Sequence, residues 1–396
     1  MQEYDIVIVG GGPAGLSAAY SAASNGSSVL LIEKDDGIGV NVRTSGVSWI
    51  NEMKRFGIDE KYFNPIKRYR FYSPSNEIVI EDNTYRACVL DVRKTWQYLA
   101  KLAIEKGANI MVKTRAIKVL RNYNKIVGVV AKHLNKEIKI KSKLIIDASG
   151  FSSVIAKELG FNTWKRYGVG VEYECYVDNV EENEWILMVG SKYTPAGYAW
   201  IFPINKNRVR IGVGVSRPES NADPLALLNN MINKRLKPLD KMSVIQPVEM
   251  HYGFIPNEGV RSNTVMDGLL LVGDSAGQAN PLVLEGIRYA IEFGRLAGNI
   301  ASESLEYNAS KDYLIKYEEE WKKRVKKQID AALRVQRRWL ELDDHGWDEE
   351  LDIIRDMSID ELLDFIRADF NAKKMLKLAV NHPKLIARQL FRMVIK

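Results

Sequence analysis

The sequence predicts a mixed α/β (α+β) fold: a parallel-sheet unit first, an antiparallel sheet second and a helical C-terminal region last. Three observations carry this prediction. An apolar strand runs into Gly10-Gly-Gly12 and then an Ala/Ser-rich helix, strand-like runs crowd residues 165–216, and helical patterning continues beyond residue 310.

The first unit opens with Tyr4-Asp-Ile-Val-Ile-Val, an apolar strand that ends at Gly10. Gly10, Gly12 and Gly15 form a GxGxxG turn that contains Ala14 and leads into a helix starting near Pro13. Without Cβ atoms, Gly12 and Gly15 allow a pyrophosphate to approach the backbone at the positive end of that helix. A second strand at residues 29–32 ends at Glu33 and Lys34, with Glu33 placed 18 residues after Gly15. A carboxylate there accepts both hydroxyls of an adenosine ribose and repels a 2′-phosphate. The unit is therefore Rossmann-like, and its ligand is FAD or NAD rather than NADP.

The 396 residues carry a formal net charge of +7, with 57 basic and 50 acidic side chains interleaved along the chain. That mixing disfavours a nucleic-acid partner. Cys88 and Cys175 stand far apart and outside any CxxC, which argues against a disulfide framework and against a Cys-ligated metal or iron-sulfur site. The first strand opens at about residue 4, which leaves no room for a secretory leader, and apolar runs stay shorter than a membrane span. A cytoplasmic location is expected.

Further along, residues 37–48 form a Gly-rich loop close to the dinucleotide turn. Residues 68–90 alternate as strands, with Phe71, Ile78, Ile80 and Val89 apolar, and belong with the first unit or with the substrate sheet. An amphipathic helix over 90–107 presents Trp96, Leu99, Leu102 and Ala103 on one face. Strands are predicted at 109–113, 116–120, 126–132 and 136–141, and a buried strand at 144–147 runs into Asp147-Ala-Ser-Gly150 and returns to the first sheet. Across 165–216, strands at 168–176, 185–189, 198–203 and 209–215 build an antiparallel substrate sheet. Gly212 and Gly214 are read as close packing within a strand, because Arg217-Pro218 interrupts where a nucleotide-binding helix would begin.

Leu271-Val-Gly-Asp274-Ser-Ala-Gly277 precedes Asn280-Pro281 and an apolar helix to about Ala301. These readings place the FAD-or-NAD unit at 1–160 and 260–305, the substrate sheet at 161–259 and the helical region at 306–396. Within the last segment, residues 384–396 carry Lys384, Arg388, Arg392 and Lys396 on one helical stripe and apolar residues opposite. A basic amphipathic helix of this kind lies on an anionic membrane surface or packs on its own domain, and both readings stay open.

The ordered motifs GxGxxG with Glu33, Asp147-Ala-Ser-Gly150 and Gly273-Asp274 resemble the FAD-dependent oxidoreductases built like p-hydroxybenzoate hydroxylase, over roughly residues 1–300. More narrowly, Pro195-Ala-Gly-Tyr198-Ala-Trp200-Ile-Phe202-Pro203 is similar to a segment of the geranylgeranyl reductase family, flavoenzymes that saturate isoprenoid double bonds. Ile38-Gly-Val-Asn-Val-Arg43 and Asp91-Val-Arg93 strengthen that resemblance.

The resemblance implies FAD, an isoprenoid or prenylated lipid substrate and an external electron donor, either NAD(P)H or ferredoxin. It places Asp274 on a ribityl hydroxyl, Gly273 beside it, and the N–H groups of Gly286 and Ile287 at the flavin N1/O2 edge. Arg43, Arg93, Thr44 and Ser45 fall near the cofactor, and Ala116 offers backbone contacts to the adenine. Tyr198 and Trp200, two apart on one strand, share a face that can line the pocket and stabilise cationic character in the alkene.

Two departures from the family pattern stand out. Its Cys-Gly-Glu-Gly run is replaced here by Thr44-Ser45-Gly46-Val47, and its consecutive glycines after Pro281 by Leu284-Glu285-Gly286. The proton donor is therefore unassigned. Competing readings are a flavin-dependent monooxygenase or halogenase, and an electron-transfer flavoprotein dehydrogenase passing electrons to quinone.

Overall fold

Strand β1 (Gln2–Val9) runs into the glycine turn, α1 (Pro13–Ser24) follows, and β2 (Val29–Ile32) returns parallel to β1, with Ile6 opposite Val29 and Val9 opposite Ile32. A computed structural model describes residues 2–123, 125–369 and 372–383 of the chain. Beyond the loop at 37–46 come β3 (Val47–Trp49), α2 (Ile50–Arg55), β4 (Phe63–Ile66), β5 (Arg68–Tyr72), β6 (Glu77–Glu81), β7 (Ala87–Leu90) and α3 (Val92–Glu105). Helix α3 starts where the Asp91 side chain accepts from the Lys94 N–H, and it buries Trp96, Leu99 and Ala103.

Then follow β8 (Asn109–Met111), β9 (Thr114–Asn122), β10 (Lys125–His133), β11 (Lys136–Asp147) and α4 (Val154–Glu158). The two strands expected at 136–141 and 144–147 are one. Its first half pairs antiparallel with β10, and its second half pairs parallel with β1, Ser142 bridging the change opposite Tyr4. The eight-stranded sheet runs β17 (Val265–Met266), β18 (Leu269–Leu271), β11, β1, β2, β8, with the β9–β10 hairpin attached to β11.

The second sheet has seven strands. In chain order its later members are β12 (Tyr167–Val177), β13 (Glu184–Met188), β14 (Gly197–Asn205), β15 (Arg208–Arg217) and β16 (Ile245–Pro256). Their spatial order is β16-β12-β15-β14-β13-β5-β6, so β5 and β6 from the 68–90 stretch join this sheet. Strand β7 does not, and pairs instead with β3 and β4 in a small third sheet. Helix α5 (Pro224–Asn233) covers part of the second sheet, burying Leu228 and Met231.

Helix α6 (Ile287–Ser304) lies directly on α1. A Cβ on Gly294 or Gly298 would sit 2.4 Å and 2.3 Å from the carbonyl oxygens of Ala14 and Ala18, so both positions need glycine for that approach. The C-terminal region is helical as expected: α7 (Lys311–Trp339), α8 (Asp344–Arg355), α9 (Ile359–Ile366) and α10 (Ala372–Asn381). The basic stripe at 384–396 lies outside the described residues.

Candidate active site

A cleft of about 270 Å³ opens between the first and second sheets. At one end stand Gly12, Pro13 and Ala14, where α1 begins without any side-chain cap. A Cβ at Gly12 would meet nothing within 4 Å, so its bare Cα faces open space. Uncapped N–H groups at a helix N-terminus, reached across a bare glycine, suit a pyrophosphate. Glu33 lines the same end, and its carboxylate accepts from the N–H groups of Gly11 (2.6 Å) and Asp35 (2.8 Å).

Gly10 and Gly15 lie behind this wall rather than on it. A Cβ on Gly15 would fall 2.0 Å from the Gly10 carbonyl oxygen, and one on Gly10 would fall 2.3 Å from that of Ala148. Their role is to let α1 and β11 close on the turn. Asp147 is likewise structural: fully buried, it accepts from the N–H groups of Ser149 (3.0 Å), Ile155 (3.0 Å) and Ala156 (2.9 Å), which fixes the turn at Gly150 and caps α4. Gly150 itself lines the cleft.

Midway along, Gly273 and Asp274 follow buried β18. Among the described residues the Asp274 carboxyl has no hydrogen-bond partner, and burial pushes it up to about 7. Gly286 and Ile287 form the uncapped N-terminus of α6 and line the cleft beside it, a Cβ on Gly286 falling 3.5 Å from Asp274 Oδ1. An unpartnered, partly buried carboxyl next to a free helix N-terminus fits a polyhydroxylated chain ending in an electron-accepting ring.

The loop residues Arg43, Thr44 and Ser45 line the opposite wall, and Arg43 Nη2 pairs with Asp35 Oδ2 at 2.7 Å. Three sequence candidates stand elsewhere. Arg93 is outside the cleft wall and holds the loop from behind, donating to the carbonyls of Gly39 (3.4 Å) and Val40 (3.3 Å) and pairing with Glu249. Lys34 pairs with Asp35 at 2.6 Å, and Ala116 sits buried in β9 opposite Ala131. Neither is among the residues that line the cleft.

Tyr198 and Trp200 stand on one face of β14, ring centroids 5.7 Å apart, and both line the cleft. The Tyr198 hydroxyl donates to the Val283 carbonyl at 2.7 Å, and burial pushes its phenol up, so it stays a neutral donor. Trp200 lies across Gly212 of β15, where a Cβ would sit 2.3 Å from its ring. That is the close packing expected of Gly212.

A second cavity, of about 140 Å³, adjoins the first and shares Thr44, Ser45, Tyr198, Gly214, Leu284, Gly286 and Ile287 with it. Its walls are apolar: Trp49, Phe71, Trp185 and Phe202 from the sheets, and Trp339, Trp347, Leu351 and Phe365 from α7, α8 and α9. None of these helical residues was a sequence candidate. Their apolar spacing signalled an amphipathic helix but not what it would cover. Glu172 and His251 were also missed. Both line the cleft, and each is a polar residue at an inward position of its strand.

Fold and cleft together define a flavin-dependent oxidoreductase. Residues 5–159 match the family model described as FAD dependent oxidoreductase, and residues 167–253 match the geranylgeranyl reductase catalytic domain. The chain is 32% identical over 361 residues to the digeranylgeranylglycerophospholipid reductase 2 of Methanothermobacter thermautotrophicus, covering 89% of this chain and 91% of that one. It is 33% identical to the digeranylgeranylglycerophospholipid reductase of Methanocaldococcus jannaschii, covering 94% of each. The crystal structure of a geranylgeranyl bacteriochlorophyll reductase-like protein from Thermoplasma acidophilum superposes with a TM-score of 0.87 at 26% identity, covering 99% of both chains. The flavin-dependent brominase Bmp2, at 18% identity and a TM-score of 0.72 over 98% of this chain and 99% of its own, shares the fold. The chain belongs to the geranylgeranyl reductase family, and its cofactor is FAD.

Proposed function

We propose that this protein reduces the isoprenoid carbon-carbon double bonds of a prenylated lipid, with the archaeal-type digeranylgeranyl glycerophospholipids named in its relatives as the substrate class. The observation that carries this reading is the aromatic and aliphatic cavity that opens onto the cofactor cleft across Tyr198, Gly286 and Ile287. An isoprenoid chain has no polar group to recognise, so burial of its methylenes and methyls must supply its affinity, at about 25 cal/mol per Å² of apolar surface. Walls of Trp, Phe, Leu and Ile supply that surface.

Gly12, Ala14 and Glu33 would hold the adenosine diphosphate half of FAD, and Asp274, Gly286 and Ile287 the flavin half. The reduced cofactor supplies a hydride. The chain's own residues orient both partners: Tyr198 lines both cavities, Trp200 lines the cleft beside it, and α7 to α9 shut the prenyl chain away from water. An aromatic face there favours cationic character at the substituted alkene carbon, worth about 1–2 kcal/mol when desolvated.

The electrons come from an external donor, NAD(P)H or ferredoxin. Stopped-flow bleaching of the oxidised flavin absorbance by each donor separates the two. Among the described residues no helix is long and apolar enough to cross a membrane. The lipid is met at a membrane surface, with residues 384–396 as the contact. Liposome co-sedimentation of the full chain against a chain ending at Pro383 tests this, equal binding by both contradicting it. Mass spectrometry of a prenylated lipid incubated anaerobically with reduced enzyme tests the activity: saturated product supports it, and oxygen consumption stimulated by an aromatic substrate supports the monooxygenase reading instead.

A further inference from the structure

The register of the second sheet places one cross-strand row on the cleft face. Trp200 of β14 stands opposite Gly212 of β15, Gly212 opposite Glu172 of β12, and Glu172 opposite His251 of β16. Because Gly212 has no side chain, the indole crosses β15 and its Nε1–H reaches Glu172 Oε2 at 2.9 Å. The other Glu172 oxygen, Oε1, lies 3.1 Å from His251 Nδ1. His251 Nε2 lies 3.0 Å from Glu249 Oε2, and Glu249 pairs with Arg93 at the protein surface.

The exposures form a gradient. Glu172 and His251 are 3% and 5% exposed, whereas the Glu249 side chain is 36% exposed. The result is an unbroken line of titratable groups from solvent to a buried wall of the cleft. Polar groups this deeply buried within a sheet cost stability unless they are hydrogen-bonded, and all three are.

The charges facing this line are specific. Arg210 of β15 lies 3.7 Å from Glu172 and 3.4 Å from Glu174, and it donates to the carbonyls of Ser45 (2.8 Å) and Leu90 (3.0 Å). Arg208 pairs with Glu174, Arg93 with Glu249, Asp91 acts on Arg210 from the start of α3, and the buried Cys175 thiol stands near Glu172. Glu172, Glu174 and Glu249 thus face Arg210, Arg208 and Arg93, and His251 is the cluster's proton-exchanging member.

We propose that Glu249, His251 and Glu172 form the proton-delivery route of the reductase, with Glu172 releasing the proton at the cleft. Saturating an alkene takes a hydride and a proton. The hydride comes from reduced FAD, which is oxidised by two electrons, and it forms one C–H bond. The π pair forms the other C–H bond with the proton of Glu172. His251 then returns a proton to the Glu172 carboxylate and takes one from solvent by way of Glu249. This route fills the donor role left open by Thr44-Ser45 in place of the family cysteine, and it rests on the reductase reading above.

The test compares wild type with Glu172→Gln, His251→Asn and Glu249→Gln. Prereduced enzyme is mixed anaerobically with a geranylgeranylated lipid in detergent, and flavin reoxidation is followed between about pH 5 and 8. In wild type the rate falls as pH rises. Glu172→Gln and His251→Asn retain FAD but react about 10²- to 10⁴-fold more slowly, with a flat pH profile. Glu249→Gln keeps a sloping profile displaced to lower pH, because one negative charge beside the imidazole is gone.

A second readout needs no turnover. The imidazole ¹⁵N resonances of His251, recorded on the oxidised FAD-loaded chain, titrate at lower pH in both Glu→Gln variants than in wild type. Should Glu172→Gln lose FAD or its cooperative melt, His251→Asn and Glu249→Gln decide the question. Variants that react within tenfold of wild type with its pH profile, or an imidazole titration indifferent to both glutamates, overturn the route. A wild type inactive on every prenylated lipid overturns the reductase reading itself.

Discussion

Replacing Asp274 with alanine or asparagine isolates the cofactor half of the site. Its carboxyl sits beside the free N-terminus of α6, without a partner among the described residues, and burial pushes it up to about 7. A ribityl hydroxyl that donates to the ionised carboxylate contributes about 1.5–3 kcal/mol, so either substitution weakens FAD binding by about 10- to 100-fold. The pH dependence has a definite sign. FAD favours the ionised form, so binding releases a proton, and wild-type affinity is full above about 7 and declines as pH falls through that value. The stability contribution runs the other way: a carboxyl raised from 3.8 in the folded, cofactor-free chain stabilises it at low pH, and that contribution is lost as pH rises through about 7. Calorimetric titration of FAD into flavin-stripped protein at several pH values measures the first effect, and thermal melts of the flavin-stripped protein over the same pH values measure the second. Undiminished affinity in Asp274→Ala, or a wild-type affinity independent of pH between about 5 and 8, would remove Asp274 from the flavin site.

Two glycines of one motif should behave oppositely. Gly12→Ala places its methyl in open space on an extended backbone that any residue adopts, so the melting temperature holds while FAD affinity drops; Gly15→Ala puts a Cβ 2.0 Å from a carbonyl oxygen and lowers the melting temperature itself. Leu351→Trp fills part of the apolar cavity and raises KM for a prenylated lipid while flavin absorbance per protein stays constant; an unchanged KM would place the substrate elsewhere.

The glycine turn, Glu33, Gly273 and Asp274 were legible in the sequence because each rests on local chemistry: a bare Cα at a helix start, a carboxylate at a strand end, a buried strand running into a turn. The four strands within 165–216 were legible by their runs of β-branched and aromatic residues. Strand β16 was not. Met250, Tyr252 and Phe254 are exposed, while His251 is buried, which inverts the usual alternation. Glu172 and His251 stand 79 residues apart, and only the antiparallel register of β12 with β16 brings them together. Arg93 shows what a motif leaves unsaid: the motif names the residue, while only the structure shows its side chain turned to the carbonyls of the Gly-rich loop that lines the cleft. The apolar cavity walls on α8 and α9 were hidden because an apolar helical stripe does not name its partner.

The product of a single anaerobic turnover decides whether this flavoprotein saturates prenyl chains. Enzyme with its FAD fully reduced, mixed with a digeranylgeranyl glycerophospholipid in detergent, should yield lipid heavier by two hydrogens per reduced bond as the oxidised flavin absorbance appears. Flavin that stays reduced, with lipid recovered unchanged from enzyme whose FAD is demonstrably bound, would contradict the account.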